Sequence, residues 1–202
     1  MRRLILALVL AVVAAVPAHA ASWSAADAAD LDRVSAYLNG IHTMRGSFVQ
    51  IGPEGQVTSG KFYILKPGKM RFEYKPPTPT LLVSDGKHVA VQNARLRTLD
   101  VYSLSDTPLD IILGDKIDLL NDHSITGVEH QQDALVVHAR SRGSNTQGNI
   151  SLVFALPNLE LRQWTVVDNQ GLQTTVALRD VMIGADVSHV SFALPPKYPS
   201  QH

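Results

Sequence analysis

Most of the chain after Gly40 consists of short segments in which apolar and polar residues alternate with a period of two, as Phe62 and Ile64 do. This period is typical of β-strands, because successive side chains point to opposite faces of a sheet. The dipeptide Asp85-Gly86 between two such segments predicts a hairpin. Further segments lie at 97–102, 125–130, 134–140, 149–155, 160–168, 173–180 and 190–194. About ten short strands with short turns predict one antiparallel sheet, strongly curved or closed.

One helix is predicted before these strands, over residues 25–39. Apolar residues recur at helical spacing from Leu31 to Leu38, and the alanines at the start favour helix intrinsically. Ser24 is the expected N-cap. Gly40 supplies the expected stop, because glycine tolerates the left-handed conformation of a helix C-cap. The helix should therefore be amphipathic, with one apolar stripe.

The first residues have the pattern of a secretory signal peptide. Two arginines precede an unbroken apolar run from Leu4 to Val16, and small residues follow as far as Ala20. The run is shorter than the roughly 20 apolar residues that a membrane-spanning helix needs. We expect residues 1–20 to be removed by cleavage after Ala20, which leaves a periplasmic domain of residues 21–202. The chain has no cysteine, so this domain has no thiol to carry a lipid anchor.

The composition argues against several functions. Basic and acidic residues are equal at 18 each, whereas nucleic-acid binding requires a basic surface. The eight histidines show neither H-x-H nor H-E-x-x-H spacing, and thiolate ligands are absent, so no metal site is predicted. The sequence also lacks a G-x-S-x-G nucleophile motif. We therefore predict a protein that is not an enzyme and has no cofactor, with a periplasmic hydrolase as the distant alternative.

The segment from Thr107 to Leu120 interrupts the strand pattern. Thr107 is a candidate N-cap, Pro108 suits the first position of a helix, and Gly114 would end it. The residues just before Gly114 are apolar on every side, so this short helix cannot lie on a surface in contact with water. Residues 115–120 could form a second short helix. Two interpretations remain open: a crossover packed into the core, or a lid over an apolar cavity.

Several blocks of sequence occur in an order that resembles one known family. The blocks are F-x-Q at 48–50, K-P-G-K-M-R-F-E-Y at 66–74, L-V-S-D-G-K at 82–87, T-P-L at 107–109 and F-A-L-P-P at 192–196. Each block is short, but together they resemble the periplasmic outer-membrane lipoprotein carriers of the LolA family. The resemblance covers nearly all of the chain after the predicted signal peptide.

This resemblance implies a half-open antiparallel β-barrel with a helical lid over its apolar concave face. It implies a monomeric carrier that accepts acylated lipoproteins from an inner-membrane ABC transporter and delivers them to the outer membrane, without binding ATP or metal. Whether a separate outer-membrane receptor exists is left open. A soluble shuttle must keep its apolar surface covered when empty. The alternative function is a lipid-binding or lipid-sensing module of the same fold with another amphiphilic ligand.

The candidate binding residues form two groups. Alternation places the cavity side chains on the concave face: Phe48, Phe62, Ile64, Met70, Phe72, Leu81, Val83, Val89 and Val91. The apolar residues expected in the lid are Leu31, Val34, Leu38, Leu109, Ile111, Ile112 and Leu113.

The resemblance also shows two departures from the family pattern. Lys66 stands where many members carry an arginine that hydrogen-bonds the closed lid. A weaker latch is implied, because lysine lacks the planar, multi-donor guanidinium of arginine. Met70 stands where an aromatic residue is common, near the contact with the inner-membrane partner, and a flexible methionine surface could adapt to that partner.

Overall fold

The computed structural model describes residues 23–140 and 148–198. The predicted signal peptide, residues 1–20, and its cleavage after Ala20 therefore lie outside the described residues. Within the described part of the chain, no helix is long and apolar enough to cross a membrane.

The predicted N-terminal helix is confirmed as α1, Ala25–Gly40. The Ser24 hydroxyl caps it by accepting a hydrogen bond from the Asp27 N–H at 3.0 Å. Gly40 is the last helical residue rather than a left-handed cap, and the chain leaves the helix through Ile41 in an extended conformation. The apolar stripe of α1 is fully buried, which places this helix against the core.

Within the described ranges, eleven strands form one open antiparallel sheet in the order β6-β5-β4-β3-β2-β1-β11-β10-β9-β8-β7. They are β1 Thr43–Ile51, β2 Val57–Leu65, β3 Lys69–Tyr74, β4 Thr80–Asp85, β5 His88–Asn93, β6 Thr98–Ser103, β7 Ile125–His130, β8 Ala134–Arg140, β9 Asn149–Ala155, β10 Glu160–Val167 and β11 Gln173–Ile183. The predicted hairpin joins β4 and β5, where the Asp85 carboxylate accepts hydrogen bonds from the N–H groups of Lys87 and His88.

The sheet curves so strongly that its two halves face each other. Three strands separate β3 from β10, and in a flat sheet they would hold these strands roughly 19 Å apart. The rings of Phe72 on β3 and Trp164 on β10 nevertheless have centroids only 6.0 Å apart. The concave side therefore encloses the hydrophobic core. This confirms the predicted fold class, a mainly β protein with a curved, half-open sheet, an N-terminal helix and a short central helical segment.

Two glycines on the concave face make room for this curvature. A Cβ at Gly60 would overlap the carbonyl oxygen of Glu73 and would lie 2.7 Å from the Phe48 ring. A Cβ at Gly46 would lie 2.7 Å from the Phe62 ring. Because these positions have no side chain, the two phenyl rings lie directly over the backbone of neighbouring strands and fill the inside of the bend.

The helical segment after β6 differs in detail from its prediction. A 3-10 turn spans Leu104–Asp106 and α2 spans Asp110–Leu113. The Thr107 hydroxyl donates back to the Leu104 carbonyl oxygen at 2.8 Å, so it does not cap α2, and the helix begins later than predicted. The three apolar residues of α2 are at most 4 % exposed, as expected for a helix without a polar face.

Residues 115–120 do not form the predicted second helix. The Asn39 side chain donates to the Ile117 carbonyl oxygen at 2.8 Å and accepts from the Ile117 N–H at 2.9 Å. The Ser35 hydroxyl accepts from the Leu119 N–H at 3.0 Å. These backbone groups are bonded to α1, so they are not available for helical hydrogen bonds.

The predicted strand at 190–194 is also absent, because this part of the chain is irregular and crosses the convex face of the sheet. The Arg71 guanidinium on β3 donates to the Ser191 carbonyl oxygen at 3.2 Å. The rings of Tyr63 and His189 meet edge-on with centroids 6.3 Å apart. A segment held against a face by side chains does not pair with a strand edge, which explains the wrong prediction.

Candidate functional site

An apolar cavity of about 190 Å³ lies on the concave side, between the two facing halves of the sheet. β3 and β4 supply one wall, β10 and β11 supply the other, and residues 107–109 after β6 form a third side. The lining residues are Gln50, Met70, Phe72, Tyr74, Leu82, Thr107, Pro108, Leu109, Trp164, Val166, Thr174 and Val176. Most of these side chains are apolar, so the cavity suits an apolar ligand.

The lining overlaps only partly with the residues predicted from alternation. Met70 and Phe72 line the cavity. Met70 is 2 % exposed and forms part of the cavity wall, and its predicted role near the contact with the inner-membrane partner stays a prediction. Four other predicted residues lie on the same concave face but are enclosed in the core outside the cavity lining: Phe48, Phe62, Ile64 and Val89.

The register of β4 corrects two of the predictions. Leu82 is directly opposite Phe72 on β3, so these two side chains share the concave face. Leu81 and Val83 therefore point to the convex face, and the prediction that they line the cavity is wrong, because adjacent residues of a strand point to opposite faces. Val91 is opposite Leu82 and lies on the concave face, but it is outside the cavity lining.

Sequence reasoning missed the wall that faces β3. Trp164 and Val166 on β10, with Val176 on β11, belong to segments that were predicted as strands, but nothing local shows which of their faces is concave. Gln50 and Tyr74 were also missed, although both stand inside blocks that carry the family resemblance. Their places in those two blocks were the sequence signal that could have identified Gln50 and Tyr74 as lining residues.

Two elements cover the core beside the cavity, and we call them together the lid: α1 and residues 107–113. The predicted lid residues Leu31, Val34 and Leu38 on α1 are 0 % exposed, and the Ile111, Ile112 and Leu113 side chains of α2 join them in one core cluster. Leu109 reaches the cavity itself. The structure thus brings the predicted lid residues together over the concave face.

Polar contacts fasten both parts of the lid to the turn between β2 and β3. The Gly68 N–H donates to the Leu113 carbonyl oxygen at 2.8 Å. The Lys66 ammonium donates to the Leu38 carbonyl oxygen at 2.9 Å, near the C-terminal end of α1, where a cation is favourable. Burial lowers the pKa of Lys66, although the nearby Asp115 carboxylate opposes this shift. Lys66 therefore contacts the lid through α1, and its role as a latch stays a prediction.

A larger concavity of about 710 Å³ lies beside the lid, within the loop of residues 110–124. Its lining includes Asp115, Lys116, Asp118 and His123, so it does not offer a continuous apolar wall. Across the described ranges, no group of three or more histidine, cysteine, aspartate or glutamate residues could hold a metal ion. The cavity under the lid has the more apolar lining of the two, which makes it the candidate site for an apolar ligand.

These features define a class of protein with a covered internal cavity. The class combines a curved antiparallel sheet, an apolar cavity on its concave side and a helical lid. The chain belongs to the family described as outer membrane lipoprotein carrier protein LolA, whose sequence model matches residues 39–195. It is 30 % identical to an outer-membrane lipoprotein carrier protein of Xylella fastidiosa over 154 residues, which covers 71 % of this chain and 73 % of that protein.

Two further comparisons extend over more of the chain. An outer-membrane lipoprotein carrier protein of Pseudomonas aeruginosa is 25 % identical over 195 residues, which covers 91 % of this chain and 93 % of that protein. The crystal structure of a LolA superfamily protein from Nitrosomonas europaea superimposes with a TM-score of 0.41 at 10 % identity, covering 81 % of this chain and 97 % of that one.

Proposed function

We propose that this protein is a periplasmic carrier that holds the acyl chains of lipoproteins in the cavity under the lid. The cavity itself carries the proposal, because it is an apolar space between two sheet halves. A buried methylene contributes roughly 0.8 kcal/mol, so an acyl chain of about 15 methylenes represents on the order of 12 kcal/mol of burial. A site without charges or metals therefore suffices for tight binding.

The lid has to move for an acylated cargo to enter. The covered cavity of about 190 Å³ is smaller than the roughly 300–1,000 Å³ of typical small-molecule sites. In the arrangement described above, the lid is accordingly closed over the cavity. Closure must be favourable by no more than a few kcal/mol, because cargo binding has to reverse it.

Family membership supports the route of transport. The carrier accepts lipoproteins from an inner-membrane ABC transporter and releases them at the outer membrane, through a receptor where one exists. It acts as a monomer. The transporter supplies the energy of extraction, and the carrier contributes a covered apolar surface that keeps acyl chains out of water.

Native mass spectrometry of the protein purified from the periplasm tests this proposal. A bound diacylated or triacylated lipopeptide supports it. A different bound amphiphile would replace it with the same-fold lipid-binding or lipid-sensing alternative, and an empty cavity with esterase activity would replace it with a hydrolase. Depletion of the protein in its host provides a second measurement, in which outer-membrane lipoproteins should accumulate at the inner membrane.

Lys66→Leu is expected to accelerate both uptake and release of a fluorescent acyl probe by about fivefold to tenfold. The substitution removes a charged hydrogen bond to the end of α1, and such bonds contribute roughly 1.5–3 kcal/mol, of which only part falls on lid closure. Lys61→Leu on β2 is the control, because Lys61 is exposed. Unchanged stopped-flow rates in Lys66→Leu would remove Lys66 from the mechanism.

A further inference from the structure

Four polar side chains interrupt the apolar lining of the cavity: Gln50, Tyr74, Thr107 and Thr174. The Thr107 hydroxyl donates to the Leu104 carbonyl oxygen, so its proton is already used. Gln50 and Tyr74 lie on β1 and β3 and are bonded to each other across the intervening strand, with 2.6 Å between the Tyr74 hydroxyl and Gln50 Oε1. The cavity thus contains one organised polar pair.

The contacts around Tyr74 fix the orientation of the Gln50 amide. The Tyr74 ring packs edge-on against Phe48, with centroids 5.0 Å apart. Burial raises the pKa of Tyr74 to about 12, so its hydroxyl keeps the proton that it donates to Oε1 at neutral pH. With Oε1 held in this way, the two N–H donors of Gln50 Nε2 must point elsewhere.

The Nε2 group has no acceptor among the described residues. Among the described residues, the Thr58 hydroxyl is the buried side-chain polar atom that has no hydrogen-bond partner. Gln50 Nε2 also has no partner but is not such a buried atom, so the protein does not enclose it fully. Nε2 is therefore open to a ligand in the cavity that Gln50 lines. A ligand that covers this group must offer an acceptor or leave the amide unpaired.

We propose that Gln50, oriented by Tyr74, donates a hydrogen bond to the carbonyl oxygen of an acyl ester or amide whose hydrocarbon chain lies in the cavity. This inference rests on the proposed carrier function and adds a recognised group to it. A hydrocarbon tail has no acceptor, and the acyl carbonyl is the acceptor nearest to it in any ester-linked or amide-linked lipid. Gln50 would thereby fix how far the chain enters, and Tyr74 is a positioning residue.

A matched pair of probes separates carbonyl recognition from chain burial. Palmitoyl lysophosphatidylcholine and its hexadecyl ether analogue share chain length and headgroup, and only the first has an acyl carbonyl. Both are titrated below their micelle-forming concentrations and followed by the fluorescence of Trp164 in a Trp23→Phe background, which leaves Trp164 as the only tryptophan. The wild-type cavity should bind the ester about tenfold more tightly than the ether.

Substitutions at the pair should change this ester-to-ether ratio, and Gln50→Leu and Tyr74→Phe should do so without weakening ether binding. Gln50→Leu should reduce the ratio to about one, because no donor remains. Gln50→Glu keeps an acceptor for the Tyr74 hydroxyl but has no N–H, so it should also abolish the preference and serves if Gln50→Leu does not fold. Its carboxylate should weaken binding of both probes together, which leaves the ratio as the readout. Tyr74→Phe should lower the ratio to about threefold, because the amide can then rotate.

Thr174→Val is the control, because Thr174 lines the same cavity on β11 and has a hydroxyl that could compete as the donor. It should leave the ratio unchanged. A wild-type ratio near one would overturn the assignment. A preference for the ester that is lost in Thr174→Val and persists in both Gln50 variants would also overturn it. Failure of the proposed carrier function has a different signature, in which neither probe binds to the wild-type protein.

Discussion

Gly60→Ala should destabilise the protein by roughly 3 kcal/mol or more, at the upper end of ordinary overpacking. The new methyl group would overlap the carbonyl oxygen of Glu73 and press on the Phe48 ring. The ring can rotate, but the carbonyl belongs to the β2–β3 ladder, so the clash can be relieved only by separating these two strands. In thermal unfolding the midpoint should fall by about 6–12 °C for a chain of this size.

Gly127→Ala provides the matched control for this prediction. Gly127 also lies in a strand, but the nearest atom to its added Cβ would be a carbon of the His138 side chain at 3.8 Å. Alanine there should leave stability within about 1 kcal/mol of the wild type or raise it slightly, because glycine in a strand is entropically unfavourable. Equal effects of the two substitutions would show that the bend of the sheet does not depend on an empty position at Gly60.

The positions of most strands along the chain could be predicted well from the sequence because the signal is local. An alternation of period two and a turn residue are both visible within ten residues, as at the β4–β5 hairpin of Asp85 and Gly86. The helix signals of α1 are equally local, since its cap and apolar stripe lie in one segment. Local patterns therefore determined the fold class and a curved or closed sheet, and the family resemblance added the half-open barrel and favoured the lid over a core-packed crossover.

The faces of individual strands required information that is not local. Leu81, Leu82 and Val83 are all apolar, so alternation cannot show which of them is concave until the pairing of Leu82 with Phe72 is known. The same limit hid Trp164, whose position in the cavity depends on the bend that brings β10 towards β3. A cavity between distant strands is a tertiary feature, and strand patterns alone do not encode it.

The irregular segment at 115–120 shows how side chains from another element override a local helical pattern. Its apolar spacing is compatible with a helix, but Asn39 and Ser35 on α1 bond its backbone groups directly. Both side chains lie more than 70 positions earlier in the chain. These contacts also join the C-terminal half of α1 to the segment after α2, so the two parts of the lid are linked there.

Val166→Glu should weaken binding of palmitoyl lysophosphatidylcholine by about 100-fold or more, because it places a carboxylate in the wall of the apolar cavity. A bound acyl chain would remove water from that charge, and the described residues that line the cavity include no cation to compensate. Desolvation favours the protonated acid, so affinity in this variant should recover as the pH falls below neutrality. Val166→Gln, which is polar but uncharged, should lose less affinity and show no such recovery.

Val167→Glu separates the effect on the cavity from any general effect of a charge on β10. Val167 is adjacent to Val166 and points to the opposite face of the sheet, because β10 pairs regularly with β11 through both positions. The same carboxylate there should leave acyl binding within about twofold of the wild type, since it stays in contact with water. Equal losses in both variants would mean that the acyl chain does not occupy the concave cavity. A loss confined to Val166→Glu, reversed by acid, would place the acyl chain against β10 beneath the lid.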